Sequence, residues 1–242
     1  MTDWIVPDWP APPRVGALVT TRAGGVSQGA YASCNLGAQV GDDPAAVAEN
    51  RRRLSARLPA EPLWLTQVHG NRVVRAGAAA QGAEADAAFT RQAGTVCAVL
   101  TADCLPVLLC ADDGTAVAVA HAGWRGLAGG VVEAALRAMD VPPARLMAWL
   151  GPAIGPRAFE VGEDVRAAFL AHAADAAPAF VPRAEGKWLA DLYALATLRL
   201  NTAGVARVFG GGFCTYHEAA RFYSHRREKT TGRMASLIWL ED

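Results

Sequence analysis

The chain has 242 residues, of which 52% are apolar and 19% are charged, a balance typical of a folded globular protein and not of a disordered one. Lysine plus arginine and aspartate plus glutamate number 23 each, so the formal net charge is zero and no nucleic-acid partner held by bulk charge is expected. No apolar run reaches the about 20 residues that a membrane span needs, and Met1-Thr2-Asp3-Trp4 lacks the features of a secretory signal. We therefore expect one cytosolic domain over residues 1–242, with no membrane partner.

The first half of the chain is predicted to contain short strands and one helix. Prolines at positions 7, 10, 12 and 13 predict an extended N-terminal arm. Asp43 as N-cap, with Pro44 at the first helical position, predicts the start of a helix that carries Leu54 and Leu58 one turn apart. Strands are predicted at 15–21, 63–67, 72–75, 96–101, 106–110 and 116–120.

The second half is predicted to be richer in helix. Apolar residues recur at helical spacing over 130–139, and two further helices are predicted at 163–173 and 188–203, the last ended by Gly204. Strands are predicted at 146–150, 205–209 and 235–240. Because strands and helices interleave irregularly, the pattern favours an α+β fold with mixed sheets.

The cysteines include no Cys-x-x-Cys pair and number five: Cys34, Cys97, Cys104, Cys110 and Cys214. In a chain with no visible secretory signal, this pattern indicates reduced thiols and not a disulfide framework.

Three segments place metal-ligand residue types where a predicted strand ends. His69 follows the strand at 63–67, Cys104 follows the strand at 96–101, and His121 follows the strand at 116–120. Loops at strand ends are common positions for functional residues. Two imidazoles and a thiolate are a ligand set that Zn²⁺ favours, and three protein ligands leave a fourth position open for water. None of the spacings matches a named zinc motif, and a cysteine between two strands is often only a small buried apolar residue.

A blue-copper centre uses the same two histidines and one cysteine, with a distant methionine. The four methionines, at positions 1, 139, 147 and 234, are far in sequence from all three segments. Only His172, His217 and His225 lie outside the set, too few for the imidazole-rich copper cluster of a laccase. Multicopper oxidation is therefore disfavoured.

Cys104 is also a candidate nucleophile. In that interpretation His121 would take the thiol proton, and Asp103 or Asp86 would orient the imidazole, as in cysteine hydrolases. The residue types permit this arrangement, which competes with the metal site because a thiolate that binds a metal is not free to attack.

The turn at residues 20–27 is a candidate anion site. Its glycines, including Gly25, let backbone N–H groups approach an anion, Arg22 adds a charged fork, and Ser27 adds a hydroxyl. A plain turn explains the same residues. The segment at 222–227 mixes aromatic and basic side chains, which suits a stacked base, a phosphate or simply a solvated loop.

Several of these segments belong to a longer series of motifs in one order along the chain. They are Thr21-Arg22-x-Gly24-Gly25-Val26-Ser27, Asn35-Leu36-Gly37, Gly41-Asp42, Asn50-Arg51, Gln67-Val68-His69-Gly70, Ala102-Asp103-Cys104-Leu105-Pro106, His121-Ala122-Gly123-Trp124-Arg125, Gly151-Pro152-Ala153-Ile154-Gly155, Cys214-Thr215, Phe222-Tyr223-Ser224 and Thr231-Gly232-Arg233-Met234-Ala235. Over nearly the whole chain, the series resembles the YfiH-type laccase-domain family, whose members are described as purine nucleoside phosphorylases and formerly as polyphenol oxidases. Cys34 stands where many members carry a larger apolar residue.

The resemblance implies a monomer with a four-layer αββα sandwich of mixed sheets, similar to the cytotoxic-necrotizing-factor type of cysteine hydrolase. It implies that His69, Cys104 and His121 hold Zn²⁺, with copper as the alternative, and act as the catalytic residues. It also implies phosphorolysis of adenosine, inosine and S-methyl-5′-thioadenosine, together with adenosine deamination. Some bacterial members are instead credited with editing peptidoglycan precursors.

Phosphorolysis requires an orthophosphate beside the ribose, so the chain should contain an anion site. Arg22 with its glycine turn is the first candidate, and Arg51 and Arg125 are the reserve candidates. Three hypotheses remain open at this point: the purine nucleoside enzyme, a cysteine amidase acting on cell-wall precursors, and a redox or metal-binding protein.

Overall fold

The structure is a computed structural model that describes residues 3–242. Its helices are α1 (Pro44–Ser55), α2 (Trp124–Ala128), α3 (Val131–Met139), α4 (Glu163–Leu170), α5 (Leu192–Thr202) and α6 (His225–Glu228). Its strands are β1 (Val15–Val19), β2 (Val73–Arg75), β3 (Ala87–Thr90), β4 (Cys97–Thr101), β5 (Leu105–Ala111), β6 (Val117–Ala122), β7 (Leu146–Leu150), β8 (Glu160–Gly162), β9 (Phe180–Ala184), β10 (Lys187–Ala190), β11 (Arg207–Gly210) and β12 (Met234–Leu240). No helix in the described part of the chain is both long and apolar enough to cross a membrane.

The strands form three sheets. The largest has the order β11-β7-β5-β6-β3-β2, with parallel pairs at both ends and antiparallel pairs in the middle. A second sheet, β1-β12-β4, and a third, β8-β10-β9, are antiparallel throughout. Sheets and helices alternate irregularly in the chain, so the prediction of a mixed α+β fold is confirmed.

Alternating side chains of the large sheet build two separate cores. Because successive residues of a strand point to opposite faces, Leu108 on β5 packs with Val99 and Ile238 of the β1-β12-β4 sheet. Its neighbours Val107 and Leu109 pack with residues of α3 and α5. The far face of the β1-β12-β4 sheet packs against the buried side of α1 in a third apolar cluster. The αββα layering itself stays a prediction.

Two predicted elements differ from the structure. The predicted helix at 188–203 is present as α5, but its first residues belong to strand β10, where Trp188 pairs with both β8 and β9. Asp191 then caps α5 by accepting the N–H groups of Tyr193 and Ala194.

The predicted strand at 63–67 makes only two isolated bridges. The side-chain amide of Gln67, and not its backbone, pairs there with the N–H and C=O of Leu100. The remaining predicted elements are present, with ends shifted by a few residues; the strands β3, β8 and β9 and the short helices α2 and α6 were not predicted.

Candidate functional site

The three predicted ligands meet at the edge between the six-stranded sheet and the β1-β12-β4 sheet. Cys104 lies in the turn between β4 and β5, His121 is near the end of β6, and His69 is in the loop before β2. Their ligand atoms all lie within 4.8 Å of one another, and the two imidazole rings meet edge to face with centroids 4.8 Å apart. Among residues 3–242, no other group of three or more histidine, cysteine, aspartate or glutamate side chains converges in this way.

Asp86 fixes two members of this cluster from behind. Its fully buried carboxylate accepts the backbone N–H groups of Val68, His69 and Gly70 at 3.2, 2.9 and 2.7 Å. The same carboxylate lies 2.8 Å from Nδ1 of His121, so Nδ1 carries the proton and Nε2 is left for the cluster. Asp86 was one of two predicted orienting residues, and its contacts explain why His69 holds a backbone φ of 61°.

Asp103 holds the turn that carries Cys104. The buried hydroxyl of Thr215 donates to this carboxylate at 2.6 Å, and the backbone N–H of Arg226 donates to its other oxygen at 2.6 Å. These contacts stabilise Asp103 at a φ of 92°, which side-chain-bearing residues seldom adopt. Asp103 therefore supports Cys104 through the backbone and does not orient His121.

The cluster favours a thiolate beside an imidazolium. Burial alone would raise the pKa of Cys104, but the charge of His121 and the hydrogen bonds from His121 and His69 outweigh burial and lower it. Burial alone would lower the pKa of His121, but the Cys104 thiolate and the hydrogen bond to Asp86 raise it. A thiolate is the form of cysteine that binds metals and that attacks electrophiles.

A pocket of about 920 Å³ opens beside the cluster. All three cluster residues line it, together with residues 37–40 and the segment 64–67. Its size is within the range of small-molecule sites.

Many polar groups of the pocket wall are already used within the protein. Gln67 pairs with the backbone of Leu100, and Gln81 accepts the N–H of Trp64 and donates to the carbonyl of Pro62. Glu61 accepts the indole N–H of Trp64. These residues shape the wall.

Arg125 is the exception among the charged groups. Its exposed guanidinium stacks on Trp124 at 4.4 Å and makes no ion pair or hydrogen bond with any residue of 3–242. His225 also lines the pocket, and its Nδ1 lies 2.7 Å from the carbonyl oxygen of Lys229. That contact places the proton on Nδ1 and leaves Nε2 with no partner in the described part of the chain.

The sequence of this chain matches known proteins over its whole length. Residues 16–241 match the family described as "Multi-copper polyphenol oxidoreductase laccase". A purine nucleoside phosphorylase of Pseudomonas aeruginosa is 58% identical over 243 residues, covering 100% of both chains. The purine nucleoside phosphorylase YfiH of Escherichia coli is 55% identical, covering 99% of this chain and 100% of that protein.

The chain belongs to this laccase-like family.

A solved member of similar shape is the Neisseria meningitidis protein NMB0706, whose crystal structure has a TM-score of 0.96 and is 54% identical, covering 99% of this chain and 100% of that one. The resemblance to the YfiH-type branch of the laccase-like family is confirmed by these relatives.

Despite the family's name, the histidines outside the cluster are not gathered into a second one. His217 contacts the thiol of Cys214 at 3.2 Å, and His225 bonds to Lys229. His172 is in neither contact.

The residues of the predicted anion turn lie outside the pocket wall. Arg22 donates to the carbonyls of Ala32 and Ala219 and pairs with Glu228 at 3.1 Å. Ser27 is buried and donates to Asp42 at 2.6 Å. Their roles in phosphate binding stay predictions, and every contact they make is internal to the protein.

Gly25 serves a tight approach. A side chain at this position would lie 2.2 Å from the carbonyl oxygen of Ser33, so only glycine fits there. This packing holds the segment that leads to residues 37–40 of the pocket wall.

Arg51 and Arg125, the two reserve candidates for phosphate binding, both line the pocket. Sequence reasoning missed Arg233 and Trp64, which line it as well. Arg233 is part of one of the motifs that resemble the family, but the motif did not indicate that its side chain lines a pocket. Nothing in the sequence distinguished Trp64 from a core residue.

Proposed function

We propose that this chain is a metal-dependent purine nucleoside phosphorylase. Its substrates would be orthophosphate and adenosine, inosine or S-methyl-5′-thioadenosine, with deamination of adenosine as a second activity. The observation that carries the proposal is one pocket that joins the His69–Cys104–His121 cluster to the unpaired guanidinium of Arg125. The names of the Pseudomonas aeruginosa and Escherichia coli relatives, both more than half identical to the chain, support the same activity.

The cluster suits a zinc ion held by His69, Cys104 and His121, with copper as the alternative. Three donor atoms within 4.8 Å of one another need only small side-chain movements to reach bonds of about 2.0–2.3 Å to one ion. The hydrogen bond from His121 to Asp86 is the contact by which metal-binding histidines are commonly oriented. When bound, zinc would supply a Lewis acid that stabilises developing negative charge on oxygen.

Arg125 is our candidate for the phosphate-binding residue. A guanidinium presents five N–H donors in a flat fork, which matches two oxygens of a phosphate. In Arg125 all of these donors are free of partners within residues 3–242, and the guanidinium itself is stacked on the ring of Trp124.

The chemistry asked of these residues is a displacement at the ribose. A phosphate oxygen forms a bond to C1′, the bond from C1′ to the purine nitrogen breaks, and its electron pair leaves with the base, which takes up a proton. Arg125 would hold the phosphate beside C1′ and so convert an encounter of two substrates into a reaction within one complex.

A second candidate, a cysteine amidase acting on peptidoglycan precursors, is favoured by one observation. Cys104, His121 and Asp86 form a series of thiolate, imidazole and carboxylate groups. Burial raises the pKa of Cys104, but its two histidine neighbours lower it by more, so the net pKa is lowered. In that reaction Cys104 would attack directly, and phosphate would play no part.

The deciding experiment is incubation of purified protein with inosine, with and without orthophosphate. Release of hypoxanthine that requires phosphate, together with formation of ribose 1-phosphate, supports the phosphorylase. Release without phosphate would point to hydrolysis, and no release from any of the three nucleosides would remove the proposal. Adenosine in phosphate-free buffer tests the deaminase separately, through the appearance of inosine.

A further inference from the structure

Arg51 lines the same pocket but differs from Arg125 in how its donors are used. Its Nε–H and an N–H of Nη2 both donate to the carbonyl oxygen of Leu36, at 3.0 and 2.9 Å. Those two nitrogens are the edge of the guanidinium that would otherwise grip two oxygens of a phosphate. With that edge occupied, three N–H groups remain, two on Nη1 and one on Nη2, so Arg51 has fewer free donors for a phosphate than Arg125.

One face of the Arg51 guanidinium is also covered. It lies over the ring of Trp64, with 4.3 Å between the guanidinium carbon and the ring centroid. Trp64 is itself fixed, because its backbone N–H donates to Gln81 and its indole N–H donates to Glu61, each at 2.9 Å. Both side chains of this stack line the pocket, and we expect the face of the guanidinium opposite Trp64 to be the one that meets a ligand.

The charges around Arg51 also oppose an anion at this place. Burial lowers the pKa of Arg51, and the nearby carboxylate of Glu61 partly offsets that shift by favouring the charged form. A phosphate bound here would be repelled by that carboxylate, whereas a neutral aromatic ring would not. Guanidinium planes stack well on nucleobases, whose faces carry electron density.

We infer that the face of Arg51 opposite Trp64 stacks on the purine ring of the nucleoside, while Arg125 holds the phosphate. This inference rests on the proposed phosphorylase function and assigns Arg51, named above as a reserve phosphate ligand, to the base. It makes the stack of Arg51 on Trp64 the part of the site that selects planar heteroaromatic substrates.

The inference is tested with Arg51→Met, which keeps an apolar stem, and Arg51→Lys, which keeps the charge but loses the flat face. The matched control is Arg166→Met, because Arg166 also stacks on a tryptophan, Trp188, at 4.2 Å, away from the pocket. Two quantities are measured for the full-length protein: the Kd of hypoxanthine by calorimetry in phosphate-free buffer, and the KM values for inosine and for phosphate.

We expect both Arg51 variants to raise the Kd of hypoxanthine and the KM for inosine about tenfold, which corresponds to about 1.4 kcal/mol. The KM for phosphate should change less than twofold, and Arg166→Met should change none of the three. A raised KM for phosphate with unchanged hypoxanthine binding would overturn the inference and return Arg51 to the anion. An Arg51→Lys variant that binds hypoxanthine like the parent chain would overturn it as well, since charge alone would then suffice.

The outcomes separate the two proposals. If the parent chain releases hypoxanthine only with phosphate and the Arg51 variants bind the base normally, the base assignment alone is wrong. If the parent chain binds hypoxanthine through Arg51 but consumes no phosphate, the phosphorylase proposal is wrong and the base subsite stands. Should Arg51→Met fail to fold, as judged by its thermal unfolding, Arg51→Lys carries the same comparison.

Discussion

Two regions of the molecule combine glycine and arginine in ways that look alike in sequence: the turn at residues 20–27 and the pocket beside His69, Cys104 and His121. In the turn, the guanidinium of Arg22 donates to two backbone carbonyls and forms an ion pair with Glu228. In the pocket, the guanidinium of Arg125 has no such partner within residues 3–242. Both regions contain an arginine, but the donors of Arg22 are bonded within the protein and those of Arg125 are not.

The difference shows why residue type alone is a weak guide to a binding site. A donor that already bonds to a buried acceptor must break that bond to bind a ligand, whereas a donor facing an open pocket gives up only water. We therefore expect the turn to support the pocket wall and the pocket to bind the ligands, while the role of the turn in phosphate binding stays a prediction.

The largest effect is expected for Cys104→Ser, which removes the thiolate from the cluster beside the pocket. Serine keeps the size of the side chain but is not deprotonated near neutral pH, so it is a poor zinc ligand. We expect a loss of most bound zinc, measured by elemental analysis, and a fall in kcat/KM for inosine of about 100-fold or more. Thermal unfolding should change little; full zinc occupancy in this variant would contradict the assignment of Cys104 as a ligand.

A smaller effect is expected for Asp86→Asn, which leaves all three cluster residues in place. Asparagine replaces one carboxylate oxygen by an NH2 group, which would face either the N–H groups of Val68 and Gly70 or the N–H of His69 and Nδ1 of His121, so hydrogen bonds on one side of the residue are lost. We expect zinc affinity to fall about 10-fold to 100-fold, measured by competition with a chelator. Asp113→Asn is the control, since Asp113 pairs with Arg145 at the surface. Unchanged affinity in Asp86→Asn would mean that the cluster does not depend on this support.

The difference between the two arginines is tested directly by a matched pair of variants, Arg125→Lys and Arg22→Lys. Lysine keeps the charge but cannot reproduce the flat fork. Arg125→Lys should raise the KM for phosphate about tenfold and leave thermal stability unchanged.

Arg22→Lys should do the reverse, because it removes internal hydrogen bonds made by a charged group, a loss of about 1–3 kcal/mol in the free energy of unfolding. Its KM for phosphate should stay within twofold of the parent value. A raised KM in Arg22→Lys with unchanged stability would restore the glycine turn as the anion site.

Local patterns predicted much of the fold. Asp43 and Pro44 gave the start of α1, and the apolar spacing over 130–139 gave α3, because both signals depend on neighbouring residues only. Trp188 was misplaced in a helix because its strand is set by β8 and β9, whose pairing is not visible in local periodicity.

The candidate site divides in the same way. His69, Cys104 and His121 could be selected by residue type and position at strand ends. The shared support of Asp86 depends on chain segments 35 residues from His121 and 17 from His69, and only the folded structure shows it. Sequence patterns likewise do not show that the guanidinium of Arg125 lacks a hydrogen-bond partner within residues 3–242 or that Arg51 stacks on Trp64.

The most direct test of the account is a chelator titration of zinc-loaded protein in which zinc content, phosphate-dependent hypoxanthine release and alkylation of Cys104 by iodoacetamide are followed together. Cys34 and Cys110 act as internal controls, because burial raises the pKa of the first to about 11 and of the second to about 12, and both thiols should stay unlabelled. We predict that zinc content and activity fall in parallel and that Cys104 becomes reactive as the metal leaves. Metal-free protein that keeps full activity, and loses it only when Cys104 is alkylated, would contradict the metal-dependent mechanism and identify Cys104 as the nucleophile.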